Sequence, residues 1–161
     1  MPDLLAHAFL AYAILRALSW RYDWLTTPYV TAGMAGAFIP DIVKIKLILP
    51  SATVEALLGI PFSWAPLSSA GGTAICVLIG AVLVDEPRRR PTLLVLSIGA
   101  VSHLLADALL LKATGRSYSI LWPLTRWQPP TPGLYLSTQP EPTIVTGALA
   151  ALVWGVSLWR E

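Results

Sequence analysis

Long apolar runs broken by short polar corners set the pattern of this chain. Leu4 to Trp20 is the first run and ends at the mixed corner Arg21-Tyr22-Asp23-Trp24. A second opens at Pro28 and continues to about Leu49, where Pro50 stops it. Proline in a first helical turn costs little, because that N–H has no partner within the helix. Ser51 to Leu67 is half-apolar and divided by Pro61 and Pro66, the pattern of an interfacial or re-entrant segment. A third run spans about Ser69 to Val84, and the charged turn Asp85-Glu86-Pro87-Arg88-Arg89-Arg90-Pro91 separates it from a fourth, about Thr92 to Lys112. Ala113 to Pro142 is rich in proline and carries Tyr118, Trp122, Trp127 and Tyr135, as expected of a cap at a membrane–water boundary. A fifth run, about Thr143 to Trp159, completes the pattern. The expected fold class is therefore all-α: a single domain over residues 1–161, an integral membrane bundle of about five helices with an interfacial segment and a Pro/Trp-rich capping loop.

Composition supports lipid as the main solvent. Hydrophobic residues make up 55% and charged residues 12% of the 161-residue chain, against about a quarter charged in soluble proteins, and mean hydropathy is +0.65. The expected location is the cell membrane, crossed several times, with membrane lipid as the first partner. A net charge of +2 spread over apolar runs is too small for a nucleic-acid binder. One cysteine, Cys76, allows neither an internal disulfide nor a cysteine-based metal site. Small residues such as Gly33, Gly36 and Ala37 would let helices approach closely, within the chain or in an oligomer. Six basic residues on one side of a five-span arrangement and five on the other nearly balance, and the Arg88–Arg90 cluster in a short loop tips the expected orientation towards that loop being cytoplasmic.

Ionisable groups within apolar helices cost several kcal/mol and call for a partner or a purpose. Four qualify: His7, Asp41, His103 and Asp107. The spacing of His103 and Asp107 stacks them one turn apart on a helix. Five-span connectivity brings His7 early in the first run, Asp41 late in the second and His103 with Asp107 late in the fourth to one side of the membrane. Two imidazoles and two carboxylates suit a divalent ion, with Zn²⁺ first and Mn²⁺ or Fe²⁺ compatible. Asp41 or Asp107 would then serve as ligand or as general base. A structural reading stays open: His103 hydrogen-bonded to Asp107, Asp41 paired with Lys44, His7 capping a carbonyl. Among weaker candidates, Ser68-Ser69-Ala70-Gly71-Gly72 reads as the start of the third helix more than as a nucleophile, and Trp122 and Trp127 as interfacial anchors or pocket walls. Lys44 and Lys46 either snorkel to headgroups or, with Arg116 and Arg126, hold a phosphate.

The motifs His7, Gly36-Ala37-Phe38-Ile39-Pro40-Asp41, Ser102-His103-Leu104-Leu105-Ala106-Asp107, Thr114-Gly115 and Trp122-Pro123-Leu124 stand in an order that resembles the membrane-bound metal-dependent hydrolase family, in its haloarchaeal form. That resemblance covers most of the chain. It implies an archaeal membrane and a divalent-metal site at His7, Asp41, His103 and Asp107. Through a more distant similarity to zinc-dependent phospholipase C, it also implies hydrolysis of a phosphoester. Two positions depart from the family pattern: Val43 stands where a second aspartate is common, and Pro66-Leu67-Ser68-Ser69 where a histidine motif is common. Those departures imply one metal ion in place of a cluster. From the residues alone, three functions are compatible with the buried cluster: a membrane-embedded hydrolase of an ester or phosphoester, lipid-like substrates included; a small proton- or cation-linked transporter; and a non-catalytic membrane scaffold.

Overall fold

The computed structural model describes residues 2–160, with side chains from Leu4. Six α-helices and two 3₁₀ segments form it: α1 (Pro2–Ser19), α2 (Thr27–Gly36), a 3₁₀ segment (Pro40–Leu47), α3 (Ser51–Leu58), a second 3₁₀ segment (Ala65–Ser68), α4 (Ala70–Val82), α5 (Glu86–Ala108) and α6 (Glu141–Arg160). No strand occurs among the described residues, so the expected all-α class holds; only isolated bridges, Leu110 with Tyr135 and Arg116 with Pro130, are present.

Of the five expected crossings, two helices, α5 and α6, are long and apolar enough to cross a membrane, each with a mean hydropathy of 1.5 over its most apolar window. Leu4–Ser19 and Ala70–Val82 are apolar but shorter. The second expected run is not one helix. It breaks after Gly36 because Pro40 has no N–H to give to the Gly36 carbonyl. The chain there tightens to i→i−3 bonds, Ile39 N–H to Gly36 O at 3.1 Å, Asp41 N–H to Phe38 O at 3.1 Å and Ile42 N–H to Ile39 O at 3.1 Å. Eight residues is long for a 3₁₀ segment, a geometry often found at functional positions. The expected charged turn before the fourth run is helical instead: Arg88, Arg89 and Arg90 lie in the opening turns of α5, which continues through Pro91 and stops at Ala108, short of Lys112. Ser69 caps α4, its hydroxyl accepting from the Gly72 N–H at 3.2 Å and donating to the Pro66 carbonyl at 2.6 Å. This fixes Ser68-Ser69-Ala70-Gly71-Gly72 as a helix start.

α1 packs most extensively on α6, and α5 on α2 and α4. Small residues on opposite sides of α1, Ala6 and Ala13 on one and Ala8 and Ala11 on the other, are all buried and let neighbouring helices approach it. Ser157 of α6 accepts bonds from Arg16 Nε and Trp20 Nε1, both at 3.0 Å, which sets the C-terminal ends of α1 and α6 side by side. α2 and α5 meet through glycine: a Cβ on Gly99 would lie 2.8 Å from the Ala37 nitrogen, and one on Gly36 would lie 2.7 Å from Leu96 Cα. Backbones at that separation lock Asp41, just past the end of α2, to the last turns of α5.

After α5 the chain folds back over the bundle without a helix until α6. Leu111 N–H donates to the Tyr135 carbonyl at 2.7 Å and Leu134 N–H to the Leu109 carbonyl at 2.9 Å, while Ala70 and Gly71 N–H groups donate to Ile120 and Trp122 carbonyls at 2.6 and 3.0 Å. The Pro- and Trp-rich segment is thereby tied to the ends of α5 and α4.

Candidate metal centre

His7 comes from the first turns of α1, and His103 and Asp107 from the last two turns of α5, which runs the opposite way. The helix spacing puts His103 and Asp107 on one face, and the packing of α1 against α5 brings the His7 imidazole to it. The rings of His7 and His103 stack, with centroids 3.7 Å apart and planes 24° from parallel. His7 Nε2 lies 3.4 Å from Asp107 Oδ1, and His103 Nε2 lies 3.6 Å from Asp107 Oδ2. Both histidines are buried, with 2% and 1% of their surface exposed. One donor atom from each of His7, His103 and Asp107 falls within 4.8 Å of the others.

These separations exceed the 2.7–3.2 Å typical of N–H···O bonds. The two contacts run to different oxygens of the Asp107 carboxylate, which so faces both imidazoles, and one donor atom from each of the three residues lies close enough to the others to share a divalent ion. His103 Nδ1 is buried with no hydrogen-bond partner among the described residues. A histidine ligand normally donates through its second nitrogen to an outer partner, and that partner is not supplied to His103 by the described side chains. The donor set itself, two nitrogens and a carboxylate with a second carboxylate at its edge, suits a borderline divalent ion.

Asp41 stands apart from the tight trio. Its Oδ1 lies 3.9 Å from His103 Nε2, while Oδ2 receives a bond from Lys44 Nζ at 2.6 Å. The predicted Lys44 pairing therefore exists alongside the approach to His103, and Asp41 sits at the rim of the cluster.

Two cavities flank the centre. One of about 490 Å³ lies between α1, α5 and α6, with His7 on its wall among Ala6, Leu10, Leu109, Leu134 and Val145. The other, about 350 Å³, receives Asp41 and Asp107 together with Lys44, Lys46 and Lys112 on an otherwise largely apolar wall. Lys112 lies outside the four residues singled out from the sequence, at the end of the fourth apolar run. Its ammonium sits 3.7 Å above the Tyr118 ring. Burial pushes its pKa down from the ordinary lysine value, and the Asp107 carboxylate opposes that shift. Tyr135, expected from the sequence only as a boundary aromatic, donates its hydroxyl to the Ala106 carbonyl at 2.7 Å and braces the turn that carries Asp107. Neither Arg116 nor Arg126 lines the cavity of Lys44 and Lys46; Arg126 lines an adjoining one with Trp122, Ser68 and Ser119. Trp122 is thus a pocket wall, and Trp127 is 58% exposed.

No family model, curated protein or solved structure matches the chain. The functional reading therefore stands on the residues and their geometry.

Proposed function

We propose that this protein is a multi-pass membrane hydrolase that depends on one divalent metal ion, Zn²⁺ foremost, held by His7, His103 and Asp107, and acts on an ester or phosphoester of a lipid-like substrate. The observation that carries the reading is the convergence of two buried imidazoles and a carboxylate from antiparallel helices, with donor atoms within 4.8 Å of one another. A metal ion when bound there would polarise a carbonyl or phosphoryl oxygen and make water acidic enough to ionise near neutral pH.

The chain's own groups divide the remaining work. Stacking fixes the two imidazoles against each other, and neutral rings are the form that can ligate. Asp107 faces both rings and reaches the lysine-lined cavity. Asp41, at the cavity wall and oriented by Lys44, suits the part of general base better than that of ligand. The apolar cavity beside His7 offers room for an acyl chain arriving from the bilayer. Membrane residence with more than two crossings is part of the same proposal: the apolar helices α1 and α4 flank α5 and α6 and would complete the spans in a locally thinned bilayer.

Metal content decides it. The full-length protein, purified in detergent and offered Zn²⁺, is expected to retain about one ion per chain after dialysis, and His103→Ala and Asp107→Ala to retain none. Wild-type protein that takes up no metal removes the hydrolase reading.

A further inference from the structure

The lysine-lined cavity beside the cluster holds more positive charge than the cluster explains. Three lysines, Lys44, Lys46 and Lys112, face two carboxylates, Asp41 and Asp107, in a space of about 350 Å³, many times the roughly 30 Å³ that one water occupies in the liquid. Lys44 is committed to Asp41 at 2.6 Å. Lys112 is not so committed: its Nζ is buried and has no hydrogen-bond partner among the described residues. The Tyr118 face at 3.7 Å balances its charge but accepts none of its three N–H donors in a direct bond. An ammonium with open donors, on a residue that lines a cavity together with Asp107, is an incomplete site. An anion with several acceptor oxygens would satisfy those donors and the excess of lysines over carboxylates together. A divalent ion at the neighbouring centre would raise the demand for anionic charge further.

We propose that this cavity is an oxyanion subsite for the phosphate group of the substrate, with Lys112 as its principal counter-charge and Lys46 at its mouth. The proposal deepens the hydrolase reading by choosing a phosphoester over a carboxylic ester, and it rests on that reading for its catalytic meaning. The subsite itself is built from residues outside the metal-ligand trio. Lys112 is on this account a binding residue that sets substrate class. Phosphate can come from a lipid headgroup or from a free ion, and both share the chemistry that Lys112 would recognise.

The test uses full-length protein in detergent, stripped of metal, with inorganic phosphate as one probe and micelles doped with phosphatidic acid as the other, followed by phosphorus NMR and calorimetry. Saturable binding of either probe is expected, weakened about tenfold or more in Lys112→Met and in Lys112→Gln, and restored to within about threefold in Lys112→Arg. Binding of inorganic phosphate identifies the free anion as a sufficient ligand; binding of phosphatidic acid alone identifies the lipid headgroup. Both results support the subsite. Absence of binding to either probe in the wild type overturns it, as does binding that both neutral variants leave unchanged. Zinc uptake measured on the same preparations separates the two claims: zinc without phosphate sinks the subsite alone, and phosphate without zinc sinks the hydrolase while sparing the subsite.

Discussion

At the scale of residues, the contrast between Asp41 and Asp107 carries the chemistry. Asp107 lies within reach of both imidazoles, whereas Asp41 meets only His103, at 3.9 Å, and spends its other oxygen on Lys44. Loss of Asp107 should therefore weaken metal binding by more than the roughly 10–100-fold that removal of an outer partner costs. Asp41→Asn should leave the metal in place and slow hydrolysis of a chromogenic phosphomonoester by about 10²-fold or more, the contribution of a positioned base. Metal analysis and steady-state rates on the same sample check both; Asp41→Asn protein that arrives metal-free would make Asp41 a ligand. All four candidate residues were legible as misfits in apolar runs, because an ionisable group in a membrane-type segment is conspicuous without any structure. Their division of labour was not legible, since it depends on Lys44 and on side-chain reach. Lys112 escaped notice for the opposite reason: a lysine at the end of an apolar run looks ordinary until its surroundings are known.

At the scale of elements, the site exists because glycine and alanine let helices touch. Gly99 faces the backbone of α2 near Gly33 and Ala37, and no side chain fits between them. Gly99→Leu should cost about 1–3 kcal/mol or more by overpacking, lower the melting temperature in detergent, and loosen the hold on Asp41. Gly155, in the middle of α6, has open space where a Cβ would lie, with nothing within 4 Å, so Gly155→Ala should be neutral or stabilising by up to about 1 kcal/mol. Equal effects at the two positions would contradict the close α2–α5 contact. Helices α1, α4, α5 and α6 were readable from their apolar runs and stops. The split of the second run was not, because Pro40 is tolerated near a helix start as well as at a break, and only the preceding turn of α2 shows which applies. Arg88 to Arg90 misled in the same way: a charged, proline-flanked stretch reads as a turn, yet Glu86 and Pro87 make a good first helical turn.

At the scale of the whole molecule, the outward faces are the most telling surface. Val145, Leu149, Leu152, Val156 and Trp159 recur at helical spacing along α6, and Ile75, Leu78, Ile79 and Val82 along α4, all exposed. Only 17% of the most apolar window of α6 is covered by the rest of the chain, far too little for the core helix of a water-soluble protein. After cell disruption the protein should stay in the membrane fraction through high salt and alkaline carbonate and be released by detergent; recovery in the carbonate supernatant would contradict a spanning role. That apolar exterior surrounds a small polar interior, and what the interior holds decides the function. X-ray absorption at the zinc edge of the purified, zinc-loaded protein tests it most directly. Two imidazole nitrogens and at least one carboxylate oxygen at about 2.0–2.2 Å are predicted for the wild-type protein. A spectrum without imidazole scattering, or protein from which no zinc edge can be recorded, would contradict it.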